Sequence, residues 1–309
     1  MVLNWILAVV VALVLWSFIE KRLLKITKYR IPADSSESAP GDLKLVVLAD
    51  LHNNSFGKRN AVLVARIREL NPDVIIIAGD LITKQQPSIP GNAFDLLEEL
   101  VKDYPIYYGY GNHERHLSEL MEETKETGNH NVKHKVLYES FLEFKRVLTD
   151  KGVHFLVDES ILIKKGGSAI RITGLNADKE CYNRTELFPM DRAYLDEHIG
   201  KSDPKEYQIL IAHHPIFFEA YADWGADLTL AGHLHGGLVR LPHLGGIISP
   251  QYNFFPTYDS GVFTANNRRM IVSKGLGSHS FMLRLFNRPE LVFIHIEKKA
   301  AGNNETKER

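Results

Sequence analysis

Side chains that bind divalent metals occur at five places in this sequence, each following an apolar run. The motifs are Asp50-x-His52, Gly79-Asp80, Gly111-Asn112-His113-Glu114, His213 and Gly232-His233-x-His235. A buried parallel strand is typically a short continuous apolar run, and ligands collect at the carboxyl ends of such strands. We therefore expect all five motifs to open onto one side of an α/β fold.

The donor types of these motifs indicate a particular chemistry. Carboxylate oxygens and imidazole nitrogens suit manganese, iron or zinc, and Asp80 could bridge two cations about 3.5 to 4 Å apart. Each motif alone is more typical of a turn or a helix cap. Five unrelated turns would have to reproduce one ligand list in order, so we interpret the set as a two-metal site that activates water.

The ordered motifs resemble the calcineurin-like metallophosphoesterase superfamily and, within it, the membrane-associated YkuE-like branch. The similarity runs from about Ile31 to Ile296 and includes the stretches 50–58, 254–256, 272–277 and 284–290. The resemblance implies an α/β fold of two facing mixed β-sheets flanked by helices, a four-layer α/β sandwich. It also implies that two divalent metal ions (Mn, Fe or Zn) are cofactors.

The resemblance assigns a role to each residue of the motifs. One metal would be held by Asp50, His52 and His235, the second by Asn112, His213 and His233, with Asp80 bridging both. His113 would be the catalytic histidine beside the scissile phosphate, outside the coordination shell. The branch usually places Gln after Gly-His-x-His-Gly-Gly, whereas this chain has Leu238.

The ligand chemistry predicts hydrolysis without a covalent intermediate. Metal-activated hydroxide would attack in line with the P–O bond, the cations would neutralise phosphoryl charge, and His113 would donate a proton to the leaving group. The sequence contains no Gly-x-Ser-x-Gly motif, and Cys181 is its single cysteine.

Three neighbours of the predicted ligands are candidates for substrate binding. Asn53 and Arg115 adjoin ligands and could contact phosphate oxygens. His214 follows His213 and precedes Pro215, so its side chain is expected on the other face of the strand end. The alternative for each is an ordinary surface or core position.

Composition fits one large globular domain. The chain has 309 residues, 44% hydrophobic and 24% charged, with a net charge of -1. This length commonly forms one α/β domain, and the charge gives no electrostatic case for nucleic acid as the main partner. A single cysteine excludes an internal disulfide framework.

The amino terminus predicts a membrane anchor. Residues 2–19 carry no charge and have Trp5 and Trp16 near their ends. A helix of this length spans ~27 Å, close to the thickness of a hydrocarbon core. The alternatives are a buried core helix, which would normally show a polar stripe, and a cleaved signal peptide, which would need basic residues ahead of the apolar run.

The charges beside this stretch predict its orientation. Basic residues follow it at Lys21, Arg22, Lys25, Lys28 and Arg30. The positive-inside rule then places the catalytic domain in the cytoplasm. An exported domain is the alternative, because relatives on this branch can be exported.

The rest of the chain divides into four predicted parts. Residues 1–30 are the anchor with its basic flank, 31–41 a Pro/Ser-containing linker that forms a short tether, 42–297 the phosphoesterase domain and 298–309 a polar tail. Within the domain, strands and helices alternate from 44 to 108, which predicts parallel pairing. Residues 115–151 are charged helical sequence, either a cap over the site or helices packed with one solvated face.

These observations predict a membrane-anchored hydrolase of phosphodiester or pyrophosphate bonds. The alternatives are a phosphomonoesterase and, from another class, a protein-binding scaffold. The expected partners are the membrane and a phosphoester substrate.

We also hypothesise a lipid-linked substrate, such as a nucleotide-diphosphate lipid precursor or a phospholipid diester. This hypothesis rests on the anchor and on apolar residues predicted near the mouth of the site, at Phe254–Pro256, Phe281–Leu283, Leu117, Leu120 and Met121.

Overall fold

A computed structural model describes residues 1–33, 40–85, 89, 91–127, 132–183, 186, 188–241, 244–249, 254–278 and 283–298. Its helices are α1 (Val2–Glu20), α2 (Ala61–Leu70), α3 (Asn92–Leu100), α4 (Asn112–Thr127), α5 (Val132–Asp150), α6 (Arg192–Ile199) and α7 (Phe218–Trp224). Its strands are β1 (Lys25–Ala33), β2 (Leu43–Leu48), β3 (Val74–Ala78), β4 (Ile106–Gly109), β5 (Val153–Leu156), β6 (Glu159–Lys165), β7 (Ser168–Leu175), β8 (Tyr207–Ala212), β9 (Leu228–Ala231), β10 (Val239–Leu241), β11 (Gly245–Ile248), β12 (Gly261–Ala265), β13 (Arg268–Val272) and β14 (Glu290–Lys298).

The first sheet has the strand order β1-β14-β2-β3-β4-β5. Strands β2 to β5 are parallel neighbours, β14 is antiparallel to β2, and β1 is parallel to β14. Successive side chains of a strand point to opposite faces. Leu45 and Val47 therefore enter the core between the sheets, whereas Val46 and Leu48 pack beneath the helices.

The second sheet has the order β12-β13-β9-β8-β7-β6. Its central strands are parallel, and its edge strands β6 and β12 pair antiparallel. Ile209 and Ile211 of β8 face the first sheet, and Leu210 packs outward against Tyr221 and Trp224 of α7. Helices α2, α3 and α5 cover the outer face of the first sheet. The predicted four-layer α/β sandwich is confirmed.

Helices α4 and α5 decide whether residues 115–151 form a cap over the site or helices packed on the sheet. Leu117 and Leu120 of α4 and Phe141 and Phe144 of α5 are fully buried against the first sheet. The helices therefore pack on the sheet with their other face in solvent. Leu117 and Leu120 belong to the core, because their i, i+3 spacing places them on the buried face of α4. Our prediction that they border the mouth of the site is wrong.

Strand β1 changes the predicted division of the chain. It occupies residues assigned to the basic flank and the first three residues of the predicted linker, and it pairs with β14 along its whole length. Ile31 is 3% exposed in the core between the sheets. The folded part thus begins at Lys25, and the connection to α1 is residues 21–24. The centre of the predicted linker and the tail beyond residue 298 lie outside the described residues.

Helix α1 stands largely apart from the sandwich. Among the described residues it is the one helix long and apolar enough to cross a membrane, and only 6% of its apolar window is buried. Its last turn is the exception, because Ser17 and Glu20 are 1% and 3% exposed. The helix therefore contacts the domain through its base alone.

Candidate metal centre

The predicted ligands lie at the carboxyl ends of central strands from both sheets. Asp50 follows β2, Asp80 follows β3, and Asn112 begins α4 shortly after β4. His213 follows β8 of the second sheet directly, and the segment with His233 and His235 follows β9. The two sheets face each other, so their strand ends bring six of the seven predicted ligands and His113 into one cluster. The seventh, Asn112, precedes His113 at the start of α4.

One group of donors surrounds Asp50. The Nε2 atom of His235 lies 3.5 Å and that of His52 lies 3.9 Å from Asp50 Oδ1. The two Nε2 atoms are 3.2 Å apart. Three donors that converge in this way could hold a metal ion.

Asp80 lies between this group and a second one. Its Oδ2 atom is 3.9 Å from Nε2 of His52 and 3.3 Å from Nε2 of His213. Asp80, His213 and His233 form a further set of convergent donors. The carboxylate of Asp80 is thus shared by both groups, as a bridging ligand requires.

Hydrogen bonds at Nδ1 distinguish His213 and His235 from His113. Nδ1 of His213 lies 2.7 Å from the carbonyl of Ala78, and Nδ1 of His235 lies 3.2 Å from that of Gly277. A ring that donates its Nδ1 proton to a carbonyl leaves the Nε2 lone pair available to a metal.

His113 has the opposite arrangement. Its Nδ1 accepts a hydrogen bond of 3.0 Å from the backbone N–H of Lys84. In the neutral ring the proton is then on Nε2, which lies 3.8 Å from Asp80 Oδ2. This tautomer presents a donor to the centre of the site and offers no lone pair there.

The ligand backbones are strained. Asp50, His52, Asp80, His233 and His235 have φ values of 51, 49, 52, 72 and 52°, in the left-handed region. Such a conformation costs a non-glycine residue roughly 1 to 3 kcal/mol and is concentrated at functional sites. The sequence patterns did not predict this feature.

Glu114 supports the strained turn after β3. Its carboxylate is fully buried and accepts hydrogen bonds from the backbone N–H groups of Asp80, Leu81 and Gly111 at 2.9 to 3.0 Å. The hydroxyl of Tyr108 donates to it at 2.7 Å. The sequence motif contained Glu114, but its spacing gave no sign of this role.

Two glycines permit close approach of the backbone to the ligands. A Cβ atom at Gly111 would collide with the carboxylate of Asp80, and one at Gly232 would collide with that of Asp50. Both carboxylates therefore lie directly against the backbone of the neighbouring strand end.

His235 is fixed by residues far away in the sequence. The amide of Asn287 donates to the carbonyls of His235 and Gly237, both at 2.6 Å. The guanidinium of Arg284 donates to the carbonyls of Lys274 and Gly277. These supporting residues fall within a stretch that carried the family resemblance, yet sequence reasoning gave them no function.

Burial shapes the ionisation of the cluster. It raises the pKa of Asp50 to about 7, with a further contribution from the nearby Asp80 carboxylate. Burial also lowers the pKa of His233, together with its histidine neighbours. Although burial opposes it, the nearby rings of His113 and His213 hold the pKa of Asp80 well below its usual range. Buried carboxylates surrounded by imidazoles form a set that bound cations would compensate.

The residues fit two divalent metal ions. Oδ1 of Asn112 is buried and has no hydrogen-bond partner among the described residues, which leaves it available as a ligand. The surrounding donors are carboxylate oxygens and imidazole nitrogens, the set preferred by manganese, iron and zinc.

Comparison with known proteins decides the family. A family model described as calcineurin-like phosphoesterase matches residues 43–237. The chain belongs to this family. It is therefore a hydrolase of phosphoric esters, and its family uses two divalent metals, as predicted.

Its relatives also confirm the predicted YkuE-like branch. The phosphoesterase is 23% identical to the uncharacterized metallophosphoesterase YkuE of Bacillus subtilis, over 91% of this chain and 88% of that protein. It is 24% identical to phosphodiesterase YaeI of Escherichia coli, over 90% of each chain. It is 26% identical to a transmembrane protein with metallophosphoesterase domain of Danio rerio, over 89% of this chain and 57% of that protein.

The candidate substrate residues of the phosphoesterase make structural contacts. Asn53 Oδ1 accepts a hydrogen bond of 3.4 Å from the N–H of Ala93 at the start of α3. His214 is buried, and its ring centroid lies 4.4 Å from that of His233. Burial lowers the pKa of His214 to about 3, with a smaller effect from His213, so the ring beside His233 is neutral.

Arg115 connects the two sheets beside the site. Its guanidinium donates to the carbonyl of Asn176 at 2.7 Å and to Asp178 at 3.1 Å. It also pairs with Glu119 at 2.6 Å. These three partners fix Arg115 at the wall of a cleft next to Asn112.

This cleft borders Asn112, one of the predicted ligands. Its volume is about 190 Å³, and its lining is Lys84, Asn112, Arg115, His116, Glu119, Lys179 and Tyr182. Four of these side chains can carry positive charge, which suits a phosphate group. Sequence reasoning missed Lys84, Lys179 and Tyr182, because each lies outside the motifs.

A larger cleft of about 820 Å³ lies between α2 and α3. Its charges pair with each other, as in Arg59 with Glu98 at 3.2 Å and Arg68 with Glu99 at 2.9 Å. Such exposed pairs are typical of a solvated surface. The smaller cleft beside Asn112 is therefore the candidate for substrate binding.

Proposed function

We propose that this protein is a membrane-anchored phosphoesterase that hydrolyses a phosphodiester or pyrophosphate bond. The observation that carries the proposal is the position of Asp80, shared between two groups of donors beside a basic cleft. When bound, the two cations would supply Lewis acidity, which lowers the pKa of water and neutralises charge on the phosphoryl oxygens.

The chain's own residues orient the substrate and move a proton. Lys84, Arg115 and Lys179 line the cleft and would attract a phosphoryl group. The Nε2–H of His113 would donate to the leaving oxygen as the P–O bond breaks. Glu114 keeps the turn with Asp80 in place during this step.

The proposed preference for diesters over monoesters is supported by the name of one relative. YaeI bears the name phosphodiesterase. A phosphomonoesterase would use the same donors. A scaffold without activity has no support, because the sequence contains all seven predicted ligands and His113.

A substrate panel tests this preference. The full-length chain in detergent with Mn²⁺ would be assayed on bis-nitrophenyl phosphate, a dinucleotide pyrophosphate and nitrophenyl phosphate. We expect kcat/KM to be higher for the first two. A higher kcat/KM for the monoester would establish the phosphomonoesterase alternative, provided that Asp80→Asn abolishes this activity.

The membrane assignment rests on α1. The helix is apolar, mostly exposed and about as long as a hydrocarbon core is thick. Basic residues 21–30 favour a cytoplasmic domain by the positive-inside rule. Carbonate extraction should leave the chain in membranes, and protease added to intact cells should spare the domain. Digestion from outside would establish the exported orientation.

We further propose a lipid-linked substrate. The anchor joins the first sheet through residues 21–24, so the catalytic cleft stays near the bilayer. Phe254 and Phe255 are 70% and 62% exposed, whereas Phe281 and Met282 lie outside the described residues. Each buried methylene adds about 0.8 kcal/mol to binding. A diester with an acyl chain should therefore have a higher kcat/KM than its head group alone, and equal values would contradict the proposal.

A further inference from the structure

The base of α1 (residues 17–20) is hydrogen-bonded to the loop before β14 (residues 283–289). The hydroxyl of Ser17 accepts from the N–H of Arg284 at 2.9 Å, and the carboxylate of Glu20 accepts from that of Phe286 at 2.8 Å. A serine and a glutamate at the end of an apolar helix are thus buried and hydrogen-bonded to the domain. The helix direction is set by these contacts.

The connection after α1 is held by the same loop. The guanidinium of Arg288 donates to the carbonyls of Leu23 and Leu24 at 2.8 and 3.1 Å. The N–H of Lys25 donates to the carbonyl of Pro289 at 2.8 Å. The helix and the domain are therefore joined by a fixed connection rather than a flexible tether.

Backbone hydrogen bonds continue from this loop to the β10–β11 ribbon. Leu285 donates to the carbonyl of Leu238 at 3.1 Å and accepts from Arg240 at 3.0 Å. Ile247 of β11 accepts from Phe255 at 2.9 Å. The loop, the ribbon and residues 254–255 are thus one continuous surface beside the base of α1.

This surface exposes several apolar side chains. We call its exposed apolar side chains the apolar rim: Leu241, Leu244, Phe254, Phe255, Leu283 and Phe286, which are 36 to 70% exposed. Phe255 and Phe286 have φ values of 48 and 58°. A bulky residue rarely adopts this conformation, and here it accompanies an exposed aromatic side chain.

Exposed basic residues flank the apolar rim. Arg22, Lys25 and Arg288 lie at the exit of α1 and in the adjoining loop, and all three are exposed. Aromatic side chains next to basic ones are typical of protein that lies in the headgroup layer of an anionic membrane.

We propose that the apolar rim and the base of α1 enter the interfacial layer of the bilayer as one surface. The proposal rests on the membrane anchoring proposed for α1 and adds a second contact to it. The loop that bears Leu283 and Phe286 also bears Arg284 and Asn287, which hold the His235 segment. Contact of the rim with lipid would therefore fix the distance and orientation of the metal centre relative to the headgroups.

Depth measurement by site-directed labelling tests the proposal on the full-length chain. Single cysteines would replace Leu244, Phe254 and Phe286 in a Cys181→Ser background. Each would carry a nitroxide, in nanodiscs of phosphatidylcholine with a minority of phosphatidylglycerol. Leu7 of α1 provides the membrane reference. Val136 of α5 and Leu162 of β6 are controls, because they are 54% and 43% exposed and lie far from the rim in sequence.

We expect the rim labels to show the high oxygen and low nickel-chelate accessibility of the interfacial layer, unlike labels at the two controls. Rim labels as open to the nickel chelate as the controls, with Leu7 in the bilayer, would overturn the rim proposal and leave the anchor intact. A nickel-accessible Leu7 would overturn both. Spin–spin broadening at the rim without lipid contact would show that a second copy covers it, which also contradicts the proposal.

Discussion

At the scale of single residues, backbone partners distinguish His113 from His213 and His235. Carbonyls face Nδ1 of His213 and His235, whereas an N–H group faces Nδ1 of His113. The first arrangement directs a lone pair into the site, and the second directs a proton there. The motifs predicted which histidines come together, but the opposite tautomers depend on strand ends that are distant in sequence.

The tautomer of His113 leads to a prediction. His113→Ala should keep its metal content and lose about 10²- to 10⁴-fold in turnover, because a proton donor is removed and no ligand is lost. The loss should be smaller for a nitrophenyl diester than for an alkyl diester, since nitrophenolate leaves without a proton. Elemental analysis and kcat on both substrates provide the measurement. Loss of metal in this variant would make His113 a ligand.

Glu114 leads to a second prediction at this scale. In Glu114→Gln the side-chain NH₂ would face backbone N–H groups that now donate to a carboxylate. Hydrogen bonds to a charged group contribute about 1.5 to 3 kcal/mol each. We expect the free energy of unfolding to fall by about 2 kcal/mol or more and metal affinity to fall with it.

Urea unfolding and metal titration would measure this effect. Glu122→Gln is the matched control, because Glu122 is an exposed residue of the same helix. Equal stability of the two variants would contradict the supporting role of Glu114.

At the scale of elements, the sequence indicated the central strands and missed the edge strand β1. The apolar runs before Asp50, Asp80 and His213 correspond to β2, β3 and β8, because a strand covered on both faces is apolar throughout. Strand β1 carries Lys25, Lys28 and Arg30, so its pattern was interpreted as a basic membrane flank. Its pairing with β14 joins the two ends of the chain, and local sequence cannot reveal such a contact.

Strand β1 leads to a third prediction. A chain that starts at Asp42 would lose β1, expose the β14 edge and leave a gap where Ile31 packs. Burial of a side chain such as Ile31 contributes roughly 1.5 to 3 kcal/mol, and unpaired edges favour aggregation. We expect this chain to melt lower and aggregate sooner than one that starts at Arg22. Calorimetry on both would measure the difference, and equal melting temperatures would show that β1 is dispensable.

At the scale of the whole molecule, two facing sheets place their strand ends on one buried cluster. The first sheet supplies Asp50, Asp80 and Asn112, and the second supplies His213 and His233. Neither sheet alone has a complete site. The family resemblance implied this four-layer arrangement, whereas the fixed connection of α1 to the loop before β14 became visible only in the structure.

The central claim is that Asp80 is the ligand shared by two metals, and metal content tests it most directly. The full-length chain, Asp80→Asn and Asp50→Asn would be loaded with Mn²⁺, desalted and analysed for metal and diesterase activity. Asp150→Asn is the control, because Asp150 lies at the exposed end of α5. We expect two equivalents and full activity in the parent and the control. Asp80→Asn should lose both metals and all turnover, whereas Asp50→Asn should chiefly weaken one site. Two equivalents of metal with normal activity in Asp80→Asn would contradict the account.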